Sequence, residues 1–112
     1  MGKPVVHFEL YGPNAEGLRS FYADVFDWEV HADESIDYAM IHTNAGNGID
    51  GGIGRGDARV NVVIEVDDLQ ATLDRVEALG GKTVTPVTEI PGVVTFAEFQ
   101  DPQGNVLGIS LP

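Results

Sequence analysis

Cysteine is absent from this 112-residue chain, which excludes disulfide staples, thiolate metal sites and a thiol nucleophile. Cations are scarce: 6 Lys and Arg stand against 18 Asp and Glu, a formal net charge of −12. Without a basic cluster such a surface repels a phosphate backbone, so nucleic acid is not an expected partner. The same acidity suits solubility and draws in cationic small molecules. No apolar run approaches the ~20 residues of a membrane span. Met1-Gly2-Lys3-Pro4 runs into a strand-like stretch with no apolar signal segment. A cytoplasmic protein with no membrane partner is the expectation.

Several motifs are present only in appearance. Gly46-Asn47-Gly48-Ile49-Asp50-Gly51 spells GxGxxG, but Gly52-Ile53-Gly54-Arg55-Gly56 behind it will not start the helix that meets a pyrophosphate. Arg55-Gly56-Asp57 spells an adhesion tripeptide that a cytoplasmic chain cannot use. Ser20, Ser35 and Ser110 lack the glycines of a nucleophile elbow.

What remains is ordinary globular material, 43% hydrophobic, enough for one domain over residues 1–112. Val5-Val6-His7-Phe8-Glu9-Leu10 alternates as a strand, with His7 and Glu9 on one face and Phe8 and Leu10 on the other. Asn14 can cap a helix whose apolar positions are Leu18, Phe21, Tyr22 and Val25. Strands are predicted at Trp28–His31 and Asp37–Thr43. Residues 44–59 hold six glycines and are read as a loop with at most a short edge strand at Ile49–Ile53. The pattern then restarts: a strand at Val60–Val66, and a helix capped by Asp67, with Gln70 at the capping-box position, apolar at Leu69, Leu73, Val76 and Leu79 and stopped by Gly80-Gly81. A short strand at Thr83–Val87 follows, with Pro86 and Pro91 bracketing a loop. The closing hairpin turns at Asp101-Pro102-Gln103-Gly104, residue types suited to a type I turn.

An offset of 54 lays His7 on Asn61, Leu10 on Ile64, Tyr22 on Val76 and Val30 on Val84. An offset of 56 lays Gly48 on Gly104 and Gly52 on Gly108. The chain therefore reads as two βαβββ modules, about 1–56 and 57–112, neither able to bury both its sheet face and its helix stripe well alone. The expected class is α+β: a curved mixed sheet around a cleft between the modules, with helices on the outer face.

Two such modules, Phe21-Tyr22-Ala23-Asp24-Val25-Phe26-Asp27-Trp28, Val66-Asp67-Asp68, Leu79-Gly80-Gly81 and Asp101-Pro102-Gln103-Gly104-Asn105 together resemble the vicinal oxygen chelate superfamily. That superfamily includes glyoxalase I, extradiol dioxygenases and bleomycin-binding proteins. The resemblance covers nearly the whole chain and implies a homodimer. Metal enzymes of the superfamily take a His or Gln from a module's first strand and a Glu from its last. The matching positions here are His7, Gly52 or its neighbour Gly51, Asn61 and Gly108, of which only His7 is a good ligand. No cofactor is therefore expected, with a divalent metal as the weaker alternative.

His7 and Glu9 are the candidate catalytic pair, since a carboxylate beside an imidazole makes an acid–base couple; the alternative is a polar pair that only binds. Candidate ligand-binding residues are His7, Glu9, Trp28, Tyr38, Asn61 and Phe96, aromatic walls with a few polar groups being what a small-molecule cleft needs. Tyr11 is a candidate for the cleft mouth, and Glu65 shares a strand face with Asn61. His42 and Glu98 occupy matching places and form, with His7, a non-standard metal alternative. His31 is expected to be exposed. Two functions follow. One is a binding protein of the glyoxalase/bleomycin-resistance type that sequesters a small organic ligand, an antibiotic or metabolite. The other is a glyoxalase-like or dioxygenase-like enzyme, metal-dependent or using His7 and Glu9 as acid and base.

Overall fold

Gly12-Pro13 ends the first strand, β1 (Val5–Gly12), and Asn14 opens α1 (Ala15–Phe26) by accepting a 3.0 Å hydrogen bond from the Gly17 N–H. The computed structural model describes all residues, Met1–Pro112. After α1 come β2 (Glu29–Asp33), β3 (Tyr38–His42), β4 (Gly51–Arg55) and β5 (Arg59–Glu65), then α2 (Leu69–Ala78), β6 (Lys82–Ile90), β7 (Val94–Gln100) and β8 (Val106–Ser110). The class is α+β, built of two βαβββ modules. Strand order is β2-β3-β4-β1 in one and β6-β7-β8-β5 in the other. Each closes on a parallel pair between its first and last strands, the remaining neighbours being antiparallel. Glu9 pairs with Gly52, and Val63 with Gly108, so the sequence repeat reappears as the same register.

By internal contacts the chain divides into His7–Asn61 and a second unit made of Met1–Val6 with Val62–Pro112. The bonds of each unit explain these bounds. In the second, the Pro4 carbonyl accepts from the Glu65 N–H at 2.9 Å, and Lys3 pairs with Asp67 at 3.8 Å. In the first, the Gly12 carbonyl accepts from the Gly56 N–H, and Asn61 bonds Glu9.

The core of the His7–Asn61 unit is Ala39, Ile41 and Ile53, covered by Phe8, Leu10, Leu18, Tyr22, Trp28 and Val30. The alternation read from β1 holds: Phe8 and Leu10 pack here, and His7 and Glu9 take the other face. Of the α1 stripe only Leu18 and Tyr22 reach this core; Phe21 and Val25 are more than half exposed. In the second unit Val66, Leu69, Leu73, Ala97 and Ile109 form the core, with Ile64, Phe99 and Leu111 against it.

Three local expectations are corrected. β4 is no edge strand, because it lies between β3 and β1. Its glycines are explained by rings lying on it: a Cβ on Gly51 would stand 2.6 Å from the Phe8 ring, and one on Gly54 2.5 Å from the Tyr11 ring. The α2 cap is Asp68, which accepts from the Ala71 N–H at 3.0 Å, while the Gln70 amide turns to Asp74. β6 runs unbroken through Pro86, which sits where the pairing with β7 shifts register, between Thr85 and Thr88. The closing turn forms as predicted, with Gly104 N–H donating to the Asp101 carbonyl. Neither helix is long and apolar enough to cross a membrane.

Candidate functional site

Within the His7–Asn61 unit, the sheet face opposite the core gathers four polar side chains into one chain of hydrogen bonds. β1 contributes His7 and Glu9, β3 contributes Tyr38, and β5 contributes Asn61. His7 Nε2 lies 2.8 Å from the Tyr38 hydroxyl. That hydroxyl donates to Glu9 Oε2 at 2.7 Å, and Asn61 Nδ2 donates to Glu9 Oε1 at 2.7 Å. Asn61 is only 3% exposed, whereas His7, Glu9 and Tyr38 are half-buried.

Tyr38 reaches this place because β4 carries no side chain under it. A Cβ on Gly52 would stand 1.9 Å from the Tyr38 hydroxyl oxygen and 2.2 Å from Cζ, closer than real Cβ contacts come. Tyr38 pairs in register with Gly54, and its neighbour on the same face, Met40, pairs with Gly52, so the ring leans along the strand over the glycine. The phenol thus fills the space over Gly52, the position that the resemblance matches to a metal ligand.

Burial and neighbouring charge set the protonation states. Desolvation pushes the His7 imidazole below the ordinary histidine value, opposed by the negative charges of Glu9 and Asp50. At neutral pH His7 is uncharged. Burial, then the Glu9 charge and the hydrogen bond to it, push the Tyr38 phenol far up, so it keeps its proton. Glu9 accepts one hydrogen bond at each oxygen, from Tyr38 and from Asn61. Asn61 keeps one buried atom, Oδ1, with no hydrogen-bond partner.

These residues do not fit a divalent ion. His7 Nε2 is engaged by the phenol, the Gly52 position has no donor, and no three His, Asp or Glu side chains converge beside His7 Nδ1.

The other named residues make different contacts. Trp28 belongs to an aromatic cluster under α1, with ring centroids 5.6 Å from Phe8, 5.7 Å from Tyr22 and 5.2 Å from Phe26. Phe96 is in the second unit on β7, half-buried, on the strand face opposite Ala97; Glu65 is in that unit too. Glu98, also in that unit, accepts from the Thr85 hydroxyl at 2.7 Å. Tyr11 lies under the Arg59 guanidinium, 4.3 Å from its ring centroid. His42 faces Asp50 at 3.6 Å, and exposed His31 bonds Glu29 at 2.6 Å; their rings lie 5.4 Å apart. Asp50, two residues before Gly52, is the charged neighbour of His7 that sequence reasoning missed. It sits in a glycine-rich stretch that carries no local signal of a site.

The sequence profile of the glyoxalase-like domain matches residues 7–110. A Mycobacterium bovis protein provisionally named glyoxylase CFP32 is 36% identical over 52 residues, which are 46% of this chain and 20% of that protein. The chain thus matches about a fifth of the length of such curated relatives. Three solved structures share the fold. A glyoxalase/bleomycin resistance protein/dioxygenase superfamily member from Vibrio splendidus 12B01 has a TM-score of 0.69 at 21% identity, covering 99% of this chain and 100% of that one. The methylmalonyl-CoA epimerase of Mycobacterium tuberculosis has a TM-score of 0.69 at 12% identity, covering 96% and 87%. The Mn(II)-bound glyoxalase of Novosphingobium aromaticivorans has a TM-score of 0.68 at 23% identity, covering 96% and 37%. With the profile spanning nearly its whole length, the chain belongs to the glyoxalase-like domain family of the vicinal oxygen chelate superfamily.

Proposed function

We propose that this chain is a small-molecule-binding protein of the glyoxalase/bleomycin-resistance type, sequestering an antibiotic or metabolite without a metal cofactor. The ligand would lie on the His7–Glu9–Tyr38 face of the His7–Asn61 unit. One observation carries this reading: the Tyr38 phenol stands on Gly52 and bridges His7 to Glu9, so a hydrogen-bonded network fills the space where the resemblance implies a metal ligand. The net charge of −12 favours cationic ligands. Calorimetry against cationic glycopeptides and aromatic metabolites tests it. Saturable binding lost in His7→Ala supports it, and no binding across the panel contradicts it. The homodimer implied by the resemblance is tested by size-exclusion chromatography with light scattering.

A second reading, a metal-free acid–base enzyme, is favoured by the uncharged state of His7 at neutral pH. It requires turnover of a bound ligand, and His7→Ala would then abolish the rate while Tyr38→Phe lowers it.

A further inference from the structure

We infer that Tyr38 is a positioning residue: it holds His7 in the tautomer with an unprotonated Nδ1, which accepts an N–H or O–H donor from the ligand. This rests on the binding reading above and adds the contacting atom and the chemistry it selects.

The direction of the hydrogen bonds follows from counting protons. A carboxylate only accepts, so Asn61 Nδ2 and the Tyr38 hydroxyl must both donate to Glu9. The phenol has one proton, and Glu9 has it. The contact between the Tyr38 oxygen and His7 Nε2 is then filled by the imidazole's proton. An uncharged imidazole with its proton on Nε2 has none on Nδ1. Nδ1 makes no hydrogen bond and is not among the fully buried unpaired atoms, which are Asn61 Oδ1 and two nitrogens of Arg19, so it keeps some exposed surface.

The surroundings select the ligand further. Charges facing His7 are the Glu9 carboxylate from β1 and the Asp50 carboxylate before β4. β3 presents the protonated phenol, β4 presents Gly52, and β5 presents the neutral Asn61 amide. The Arg59 guanidinium lies over the Tyr11 ring. A bare nitrogen in the negative field of Glu9 and Asp50 favours a cationic donor, such as an amidinium or ammonium, over an anion. Acidification that protonates His7 turns Nδ1 into a donor and ends this preference.

Long-range proton–nitrogen NMR of 15N-labelled protein at pH 7.5 reads the tautomer with no ligand and no activity. The wild type is expected to show His7 protonated at Nε2 and bare at Nδ1. Tyr38→Phe keeps a ring over Gly52 and removes the hydroxyl, so its tautomer ratio should fall about fivefold, the factor one net hydrogen bond is worth. Its amide spectrum checks that it folds, and the wild-type result stands alone if it does not. Benzamidinium should then shift the Nδ1 resonance, and benzoate at equal concentration should not. A protonated Nδ1 in the wild type, or an unchanged ratio in a folded Tyr38→Phe, overturns the tautomer assignment. A response to benzoate, or to neither probe, overturns the ligand class. Because the tautomer is read in free protein, its failure is distinct from a calorimetric panel in which nothing binds.

Discussion

Gly52 and Tyr38 are a matched pair, and the match gives a stability prediction. Gly52→Ala places a methyl inside the Tyr38 ring and should cost roughly 1–3 kcal/mol, as overpacking does. Tyr38→Ala removes the obstacle, so the double variant should be less destabilised than the sum of the singles; urea unfolding of the four proteins measures that coupling. His7 gives a second prediction. Its unfolded form takes a proton near the ordinary value of 6.5, and its folded form only at lower pH. Across that interval the unfolded chain binds more protons, so the His7 contribution is complete above pH 6.5 and declines on acidification. The urea midpoint should fall between pH 7.5 and 5.5, and by less in His7→Gln. An equal fall in both proteins would count against a buried neutral His7.

At the level of elements, single caps and core anchors should dominate. Asn14→Ala removes the α1 cap and should cost about 1 kcal/mol. Leu73→Ala, on the buried side of α2 and 2% exposed, should cost about 2–5 kcal/mol; thermal melts rank the two. Asp101 organises the last hairpin, accepting from Gln103 N–H, Asn105 N–H and the Asn105 amide, bonds that hold its carboxyl below the usual carboxylate value. Elements with one buried face were legible in the sequence: β1 by alternation, α2 by the spacing of Leu69 and Leu73 (Leu79, expected in the same stripe, is the exposed C-cap), the hairpin by its turn residues. β4 was not, because its glycines are required by rings from Phe8, Tyr38 and Tyr11 that only pairing brings over it, and in one dimension they look like a loop. The site was legible in the same proportion. Strand phase put His7 and Glu9 together, and the repeat pointed to Asn61. The phenol that joins them depends on a cross-strand register that local pattern does not encode. Trp28 illustrates the converse, an aromatic side chain suited to a cleft that packs under α1 instead.

For the whole molecule, the binding proposal with 18 acidic against 6 basic residues predicts ligand capture that responds to charge. Affinity for a cationic ligand should weaken between 50 and 500 mM salt, values on either side of the ~0.1 M at which the screening length is ~10 Å. Affinity for a neutral analogue of the same shape should hardly change; calorimetry at the two salts compares them. The duplicated βαβββ scaffold serves metal enzymes and binding proteins alike, so the fold alone does not choose between them. The choice rests on what stands over Gly52. Elemental analysis of the purified protein, before and after dialysis against equal mixtures of Zn, Ni, Mn and Fe(II), tests this most directly. Far less than one ion per chain, with no difference between wild type and His7→Ala, is the expected result. One ion per chain in the wild type, lost in His7→Ala, would contradict the account.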